Sequence, residues 1–314
     1  MSVPDRADIL RAHELIGSRV RRTPVVEALG VTLKLELLQH AGSFKPRGAF
    51  ATVLAEPEQP ARLVAASGGN HGLAVAHVGA TLGIPTDVFV PDIASPVKVA
   101  AIRERGATVH QQGADYAAAL EASRDAAAEP GVLAIHAYDG PFTLPGQGTV
   151  ALELEQQAPD LDTVVVAVGG GGLIGGIAAW YAGSGVRVVA VEPEGCPSMH
   201  DALAAGRPLR APVGGVAADA LGASQVGERG FAACRAAQVQ SVLVPDEAIL
   251  GARRRLWSEL RVVAEPAGAT ALAAVVTGQV EGDRIGVVVC GGNTDPGDLA
   301  RGPSGDSMTG RDRP

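Results

Sequence analysis

The sequence predicts an α/β protein of two lobes, each a mainly parallel sheet flanked by helices. Short β-branched runs alternate with alanine-rich stretches almost from end to end, the pattern of parallel strands wrapped by helices. Most of those runs pass straight into glycine or serine and then a helix, which is where open α/β sheets hold their ligands. A length of 314 residues leaves room for two lobes.

Taken in order, a helix is expected over residues 7–20. The run TLKLEL (32–37) alternates, which puts Lys34 on a solvated strand face. LVAAS (63–67) and TDVFVP (86–91) read as strands around a helix at 69–83, and SPVKVAAIRERG opens another helix with Lys98 at its surface. A helix at 114–129 follows. TVVVAV (163–168), RVVAVE (187–192), SVLVPD (241–246) and RIGVVVC (284–290) are further strands, with helices at 246–260 and 266–278. A polar interruption at 55–59 flanked by Pro57 and Pro60, and a Gly- and Pro-rich loop at 139–145, mark an inserted small domain at 55–140. Residues 1–54 and 141–300 then form the large domain, and 301–314, which lacks apolar periodicity, is expected to be a disordered tail.

Composition excludes several classes of function. A net charge of −8, with no cluster of Lys and Arg long enough to neutralise a run of phosphates, argues against nucleic acid and for a small-molecule ligand. Cys196, Cys234 and Cys290 are odd in number and have no CxxC spacing, so neither a disulfide framework nor a zinc site is expected. The acidic start MSVPDRADIL lacks the basic and apolar regions of an export signal, which makes the cytoplasm the expected location. Residues 163–186 carry no charge over a length that could span a bilayer, yet four consecutive glycines interrupt any continuous helix there, so no membrane partner is expected.

Four segments could carry chemistry. Lysine is scarce, with Lys34, Lys45 and Lys98 the only three, and Lys45 stands apart in GSFKPRGA; partial burial there would favour the neutral amine that attacks a carbonyl. In VAVGGGGLIGG (166–176) a strand ends in four glycines before an apolar helix, so successive N–H groups can face a phosphate. A tight strand-to-helix turn rarely needs four glycines, and a dinucleotide-binding match over 170–175 lacks a suitable acidic residue downstream. In ASGGNHGLAVAHVGA (66–80), Ser67, Asn70 and His71 crowd a glycine turn at a helix start. Simple capping explains one of those polar residues, whereas a bound carboxylate explains the cluster. In VVVCGGNTDPG (287–297), Cys290 stands at a strand end, where a side chain would face the ligand crevice or, more plainly, the core.

Together and in this order, these segments resemble the serine/threonine dehydratase (ammonia-lyase) family of fold type II pyridoxal-phosphate enzymes, from ILRAHELIGSRVRRTPV near the start to CGGNTD near the end. The resemblance implies a two-lobed, tryptophan synthase β-like fold, pyridoxal 5'-phosphate as cofactor, an amino-acid substrate and a homodimer. It implies that Lys45 holds the cofactor aldehyde and moves the α-proton, that Phe44 packs on the pyridine ring, and that Asn70 bonds the ring's 3′ oxygen. Gly169, Gly170, Gly171 and Gly172 would cradle the phosphate, which in this family could protonate the leaving hydroxyl. Cys290 would face the pyridine nitrogen, and Ser67, Gly68, Asn70 and His71 would bind the substrate carboxylate through side chains and backbone amides. GQGTVALEL (146–154) and EPAGATALAA (265–274) resemble supporting segments, with Glu265 near the cofactor.

Three departures from the family pattern bear on the reaction. Cys290 replaces the usual serine, a weaker partner still unlike the aspartate of aminotransferases, which favours elimination over transamination. Gly68 stands where racemase-like members carry a second serine, so racemisation is disfavoured. Cation-binding members have an acidic residue shortly beyond the position of Glu192, where this chain has Ser198, leaving Glu192 a weak candidate metal ligand. The expected reaction is conversion of L-threonine or L-serine to a 2-oxo acid and ammonia. A 3-hydroxyaspartate ammonia-lyase, a β-replacement enzyme, a non-catalytic cofactor-holding or amino-acid-binding protein and a nicotinamide-dependent oxidoreductase are the alternatives. No second globular segment follows Asp298, so a regulatory domain is not expected and a catabolic role is favoured.

Overall fold

A computed structural model describes residues 3–114 and 116–300, so the expected tail at 301–314 lies outside the described residues. Helix α1 (Arg6–Ile16) opens the chain, capped by Asp5, whose side chain accepts from the Asp8 N–H while Asp8 reciprocates. A hairpin of β1 (Val25–Ala28) and β2 (Val31–Lys34) turns at Leu29 and Gly30, both at positive φ. Helix α2 (Pro46–Leu54) follows, with proline in its first turn and Lys45 at its N-cap position.

Next come β3 (Arg62–Ala66), α3 (Asn70–Leu82), β4 (Thr86–Val90), α4 (Pro96–Arg103), β5 (Thr108–Gln111), α5 (Tyr116–Ala127) and β6 (Val132–Ala134). Their strands make an all-parallel sheet in the order β5-β4-β3-β6. The period of two along a strand divides its faces: Leu63 and Ala65 pack with Val75 and Val78 of α3, whereas Val64 and Phe89 pack with Ala119 of α5. Such strands, covered on both sides, read as continuous apolar runs.

The remainder supplies α6 (Thr143–Gln157), β7 (Thr163–Ala167), α7 (Gly172–Tyr181), β8 (Arg187–Pro193), α8 (Ser198–Ala205), α9 (Ala218–Leu221), α10 (Glu228–Ala236), β9 (Gln240–Val244), α11 (Asp246–Leu260), α12 (Pro266–Val276), β10 (Ile285–Val288) and α13 (Gly297–Ala300). The larger sheet runs β1-β2-β10-β7-β8-β9, parallel throughout except for the β1–β2 hairpin. Its centre, β7, is buried at every residue, and each fully buried valine there contributes about 1.5–3 kcal/mol. No described helix is long and apolar enough to cross a membrane; the uncharged stretch at 163–186 divides into β7, the glycine turn and α7.

Lys34 corrects the sequence reading. It is fully buried rather than solvated, because β2 is an interior strand whose face is covered by α6. Its Nζ donates to Glu153 at 2.6 Å, Gln157 at 2.7 Å and the Thr23 carbonyl at 2.8 Å. Glu153 also accepts from Arg47, which is itself fully buried and paired with Glu36 at 2.7 and 2.8 Å. Removing one member would strand a buried charge, so the cluster pins the first turn of α2, two residues from Lys45.

Candidate active site

The carboxyl ends of β3, β7 and β10 converge on one cavity of about 540 Å³ between the two sheets. Phe44, Lys45, Ser67, Gly68, Asn70, His71, Gly169 to Gly172 and Cys290 all line it; Glu192 does not. Residues 42–44 are fastened to the end of β10 by a Ser43–Gly291 bridge and by the Phe44 N–H donating to the Cys290 carbonyl at 3.2 Å. Lys45 thereby projects from the start of α2 into the cavity, its Nζ 2.7 Å from the Ala137 carbonyl and 5.2 Å from the centre of the Phe44 ring. Burial pulls its pKa down to about 8 against the opposing pull of the Glu265 carboxylate, so a useful fraction is neutral amine near neutral pH.

Opposite Lys45, β7 ends in the glycine turn, whose helix α7 starts at Gly172 with its first N–H groups lacking intrahelical partners. Side chains are sterically forbidden there. A Cβ at Gly170 would lie 2.2 Å from the Tyr138 ring, one at Gly172 2.6 Å from the Tyr138 carbonyl, and Gly171 adopts φ +90°. Bare N–H groups at a helix start suit a phosphate.

The third wall is the turn from β3 into α3. Ser67 Oγ accepts from the Gly69 N–H at 3.2 Å, and Asn70 begins the helix. His71 departs in part from its expected role. Its Nε2 faces the Ile135 carbonyl at 2.8 Å, and burial drops its pKa to about 3, so the ring is neutral and donates to that carbonyl. The remaining nitrogen can only accept, which leaves the His71 backbone N–H, not its imidazole, to meet a carboxylate.

Glu265, at the N-cap position of α12, accepts from Asn70 Nδ2 at 2.6 Å, and burial raises its pKa to about 7. Cys290 is buried, its thiol directed to the Ala267 carbonyl at 3.6 Å and its pKa pushed up to about 12 by burial and by Glu265. It is a neutral thiol at physiological pH. An amine in a half-buried cavity, a glycine cradle and an unionised partner near Lys45 together fit a phosphorylated pyridine aldehyde.

Glu192 lies elsewhere. Burial raises its pKa to about 7, and its oxygens accept from Met199 N at 2.8 Å, His200 N at 2.7 Å and Ser198 Oγ at 3.2 Å. It caps α8 instead of joining a ligand set, and among the described residues no group of three or more His, Cys, Asp or Glu could hold a metal ion. Among the cavity residues that the sequence did not point to are Tyr138 on the glycine cradle, and Lys98 with Asp219, which form an ion pair at the cavity's edge. Asn293 is a further functional candidate, bonded to Asn70; its place inside CGGNTD was the only signal for it.

Comparison with known proteins agrees with this geometry. A family model described as pyridoxal-phosphate dependent enzyme matches residues 16–291. A phenylserine dehydratase from Ralstonia pickettii is 36% identical over 96% of this chain and 96% of its own length. An L-threonine ammonia-lyase from Geobacter sulfurreducens is 36% identical over 91% of this chain and 75% of that protein. Among solved structures, maize serine racemase superposes with a TM-score of 0.90 at 32% identity, covering 95% of this chain and 96% of that one.

Proposed function

Because the chain belongs to the serine/threonine dehydratase family of fold type II pyridoxal-phosphate enzymes, we propose that it eliminates water from 3-hydroxy amino acids, L-threonine and L-serine first among them, to give a 2-oxo acid and ammonia. The single observation that carries this reading is the placement of the Lys45 amine in a cavity shared by a phosphate-suited glycine turn and a carboxylate-suited helix start. Pyridoxal 5'-phosphate supplies a carbonyl that condenses with amines and a ring that delocalises the electron pair left when an α-proton departs.

In this reading the protein does the rest. Gly169 to Gly172 would hold the phosphate, Phe44 would back the ring, and Asn70 would bond the ring oxygen. The Ser67–His71 turn holds the substrate carboxylate against the start of α3, with Gly68 contributing only backbone. Lys45 is the group that would take the α-proton of a bound substrate; its lowered pKa makes it a competent base near neutral pH. Cys290, neutral up to about pH 12, would face the pyridine nitrogen without giving it a proton, which would favour elimination over transamination. Gly68 offers no side chain for a base on the opposite face, which favours elimination over racemisation.

The wall chemistry favours an uncharged β-substituent. Ile93, Tyr138, Ala218 and Leu221 line the outer cavity, and its one further cation, Lys98, is paired with Asp219. A second substrate carboxylate would have to compete with Asp219 for Lys98, which speaks against 3-hydroxyaspartate. The same reading includes a cytoplasmic homodimer, and the three free, buried thiols suit a reducing compartment.

The test is to purify the chain, record its visible spectrum and measure 2-oxo acid released from L-threonine, L-serine, 3-phenylserine and 3-hydroxyaspartate. Release from the first three well above the fourth is expected, with no D-serine formed from L-serine. A yellow protein that released no keto acid from any of them would end the dehydratase reading and leave the cofactor in place.

A further inference from the structure

A hydrogen-bond chain that starts at a backbone carbonyl fixes the orientation of Asn70. The Ala41 carbonyl can only accept, so the Asn293 atom 2.8 Å away is its NH2 group. The second hydrogen of that NH2 meets the Asn70 side chain at 2.7 Å, where it requires an acceptor, Oδ1. The other end of Asn70 is therefore its NH2, which donates to Glu265 at 2.6 Å and keeps one hydrogen over. An isolated asparagine amide could turn over and present oxygen instead. Here each orientation follows from the one before.

Asn293 is also held firmly enough to impose that order. Its Oδ1 sits where a Cβ on Gly42 would be, 2.3 Å from that position, and Gly42 is at φ +74°. The Gly292 N–H donates to the Gly42 carbonyl at 2.9 Å, beside the Ser43–Gly291 bridge. The loop that carries Lys45 and the loop that carries Asn293 thus form one unit, and Asn293 reaches from it to the first residue of α3, on the other sheet.

We propose that Asn293 is a positioning residue: by donating to both Ala41 and Asn70 it holds the Asn70 amide with its NH2 group toward Glu265 and the cofactor's ring oxygen. This rests on the reading in which Asn70 bonds that oxygen. A donor there stabilises the ionised ring oxygen, the form of the bound cofactor that absorbs at longer wavelength. Asn293→Asp offers only acceptors, so it competes with Glu265 for the Asn70 NH2 group and withdraws that donor from the ring oxygen. Asn293→Ala removes the constraint without adding that competitor, and Asn293→Ser can restore one donated bond.

The experiment reconstitutes the four proteins with pyridoxal 5'-phosphate and compares the ratio of long- to short-wavelength absorbance across pH, together with cofactor affinity by fluorescence titration. The ratio is expected to fall in the order wild type, Ser, Ala, Asp. The Asp variant should lose about tenfold in cofactor affinity, the scale of a lost hydrogen bond to a charged group. Spectra that match wild type in all variants would overturn the proposal, as would equal loss in the Ala and Asp variants, which marks mere loosening. If the Asp variant fails to fold, a Ser spectrum no closer to wild type than the Ala spectrum overturns it equally. A wild-type protein with no visible band would instead sink the cofactor site on which the proposal rests.

Discussion

Two turns in this molecule share one plan and differ in what they tolerate. At the end of β7 and at the end of β3, a buried strand runs into glycines and then into a helix whose N-terminus faces the cavity. The turn after β7 is sterically saturated: Cβ atoms at Gly169, Gly170, Gly171 and Gly172 would lie 3.0, 2.2, 2.6 and 2.6 Å from neighbouring atoms. The turn after β3 has slack, since a Cβ at Gly68 would meet nothing nearer than Val90 at 3.5 Å, and one at Gly69 nothing nearer than the Asp219 carbonyl at 4.0 Å. The first turn can recognise a ligand only through backbone, and the same anion must always fit it. The second carries Ser67, Asn70 and His71 and can change its chemistry by substitution. An invariant cofactor phosphate suits the former and a variable substrate suits the latter.

The largest effect that would break this contrast is expected at Gly170. Gly170→Ala drives a methyl into the Tyr138 ring, an overpacking cost of about 1–3 kcal/mol, so cofactor affinity should fall by roughly tenfold to a hundredfold in a fluorescence titration. Adding Tyr138→Ala in the same chain should recover part of that loss; no recovery would mean that the clash is not the cause. A smaller effect concerns pH. The neutral amine of Lys45 is the reactive form and its pKa is lowered to about 8, so the rate of cofactor uptake by the cofactor-free protein should rise with pH and reach half its plateau near 8. A rate still climbing beyond pH 10 would mean that burial does not perturb this lysine.

The smallest structural effect is expected from Gly68→Ser. A Cβ there makes only ordinary contact with Val90, so thermal stability should change by no more than about 0.5 kcal/mol. Elimination should persist within a few-fold, while slow formation of D-serine from L-serine appears on a chiral assay. Destabilisation as large as that of Gly170→Ala would erase the distinction between the two turns.

Much of the fold was legible because parallel strands covered on both faces leave unmistakable apolar runs, as in TVVVAV and RVVAVE. Helices α2 and α6 were not legible. Each begins with residues that ordinarily break helices, Pro46 and Gly48 in one, Pro145, Gly146 and Gly148 in the other. The structure supplies the reason: a Cβ at Gly146 would lie 2.7 Å from the backbone of Arg47 and Gly48, so the glycines let these two helices touch. Lys34 was misread because strand alternation does not reveal that a helix covers the polar face. In the site, the segments around Lys45, Asn70, Gly169 and Cys290 announced themselves as local patterns. Tyr138 did not, because its role depends on meeting Gly170 across the fold.

Catalysis depends above all on which amine meets the cofactor. Borohydride reduction of the protein loaded with pyridoxal 5'-phosphate, followed by peptide mapping, should find the pyridoxyl group on Lys45 alone. Lys34 is locked in a buried ion cluster and Lys98 is paired with Asp219, so label on either of them, or on no lysine, would contradict the account.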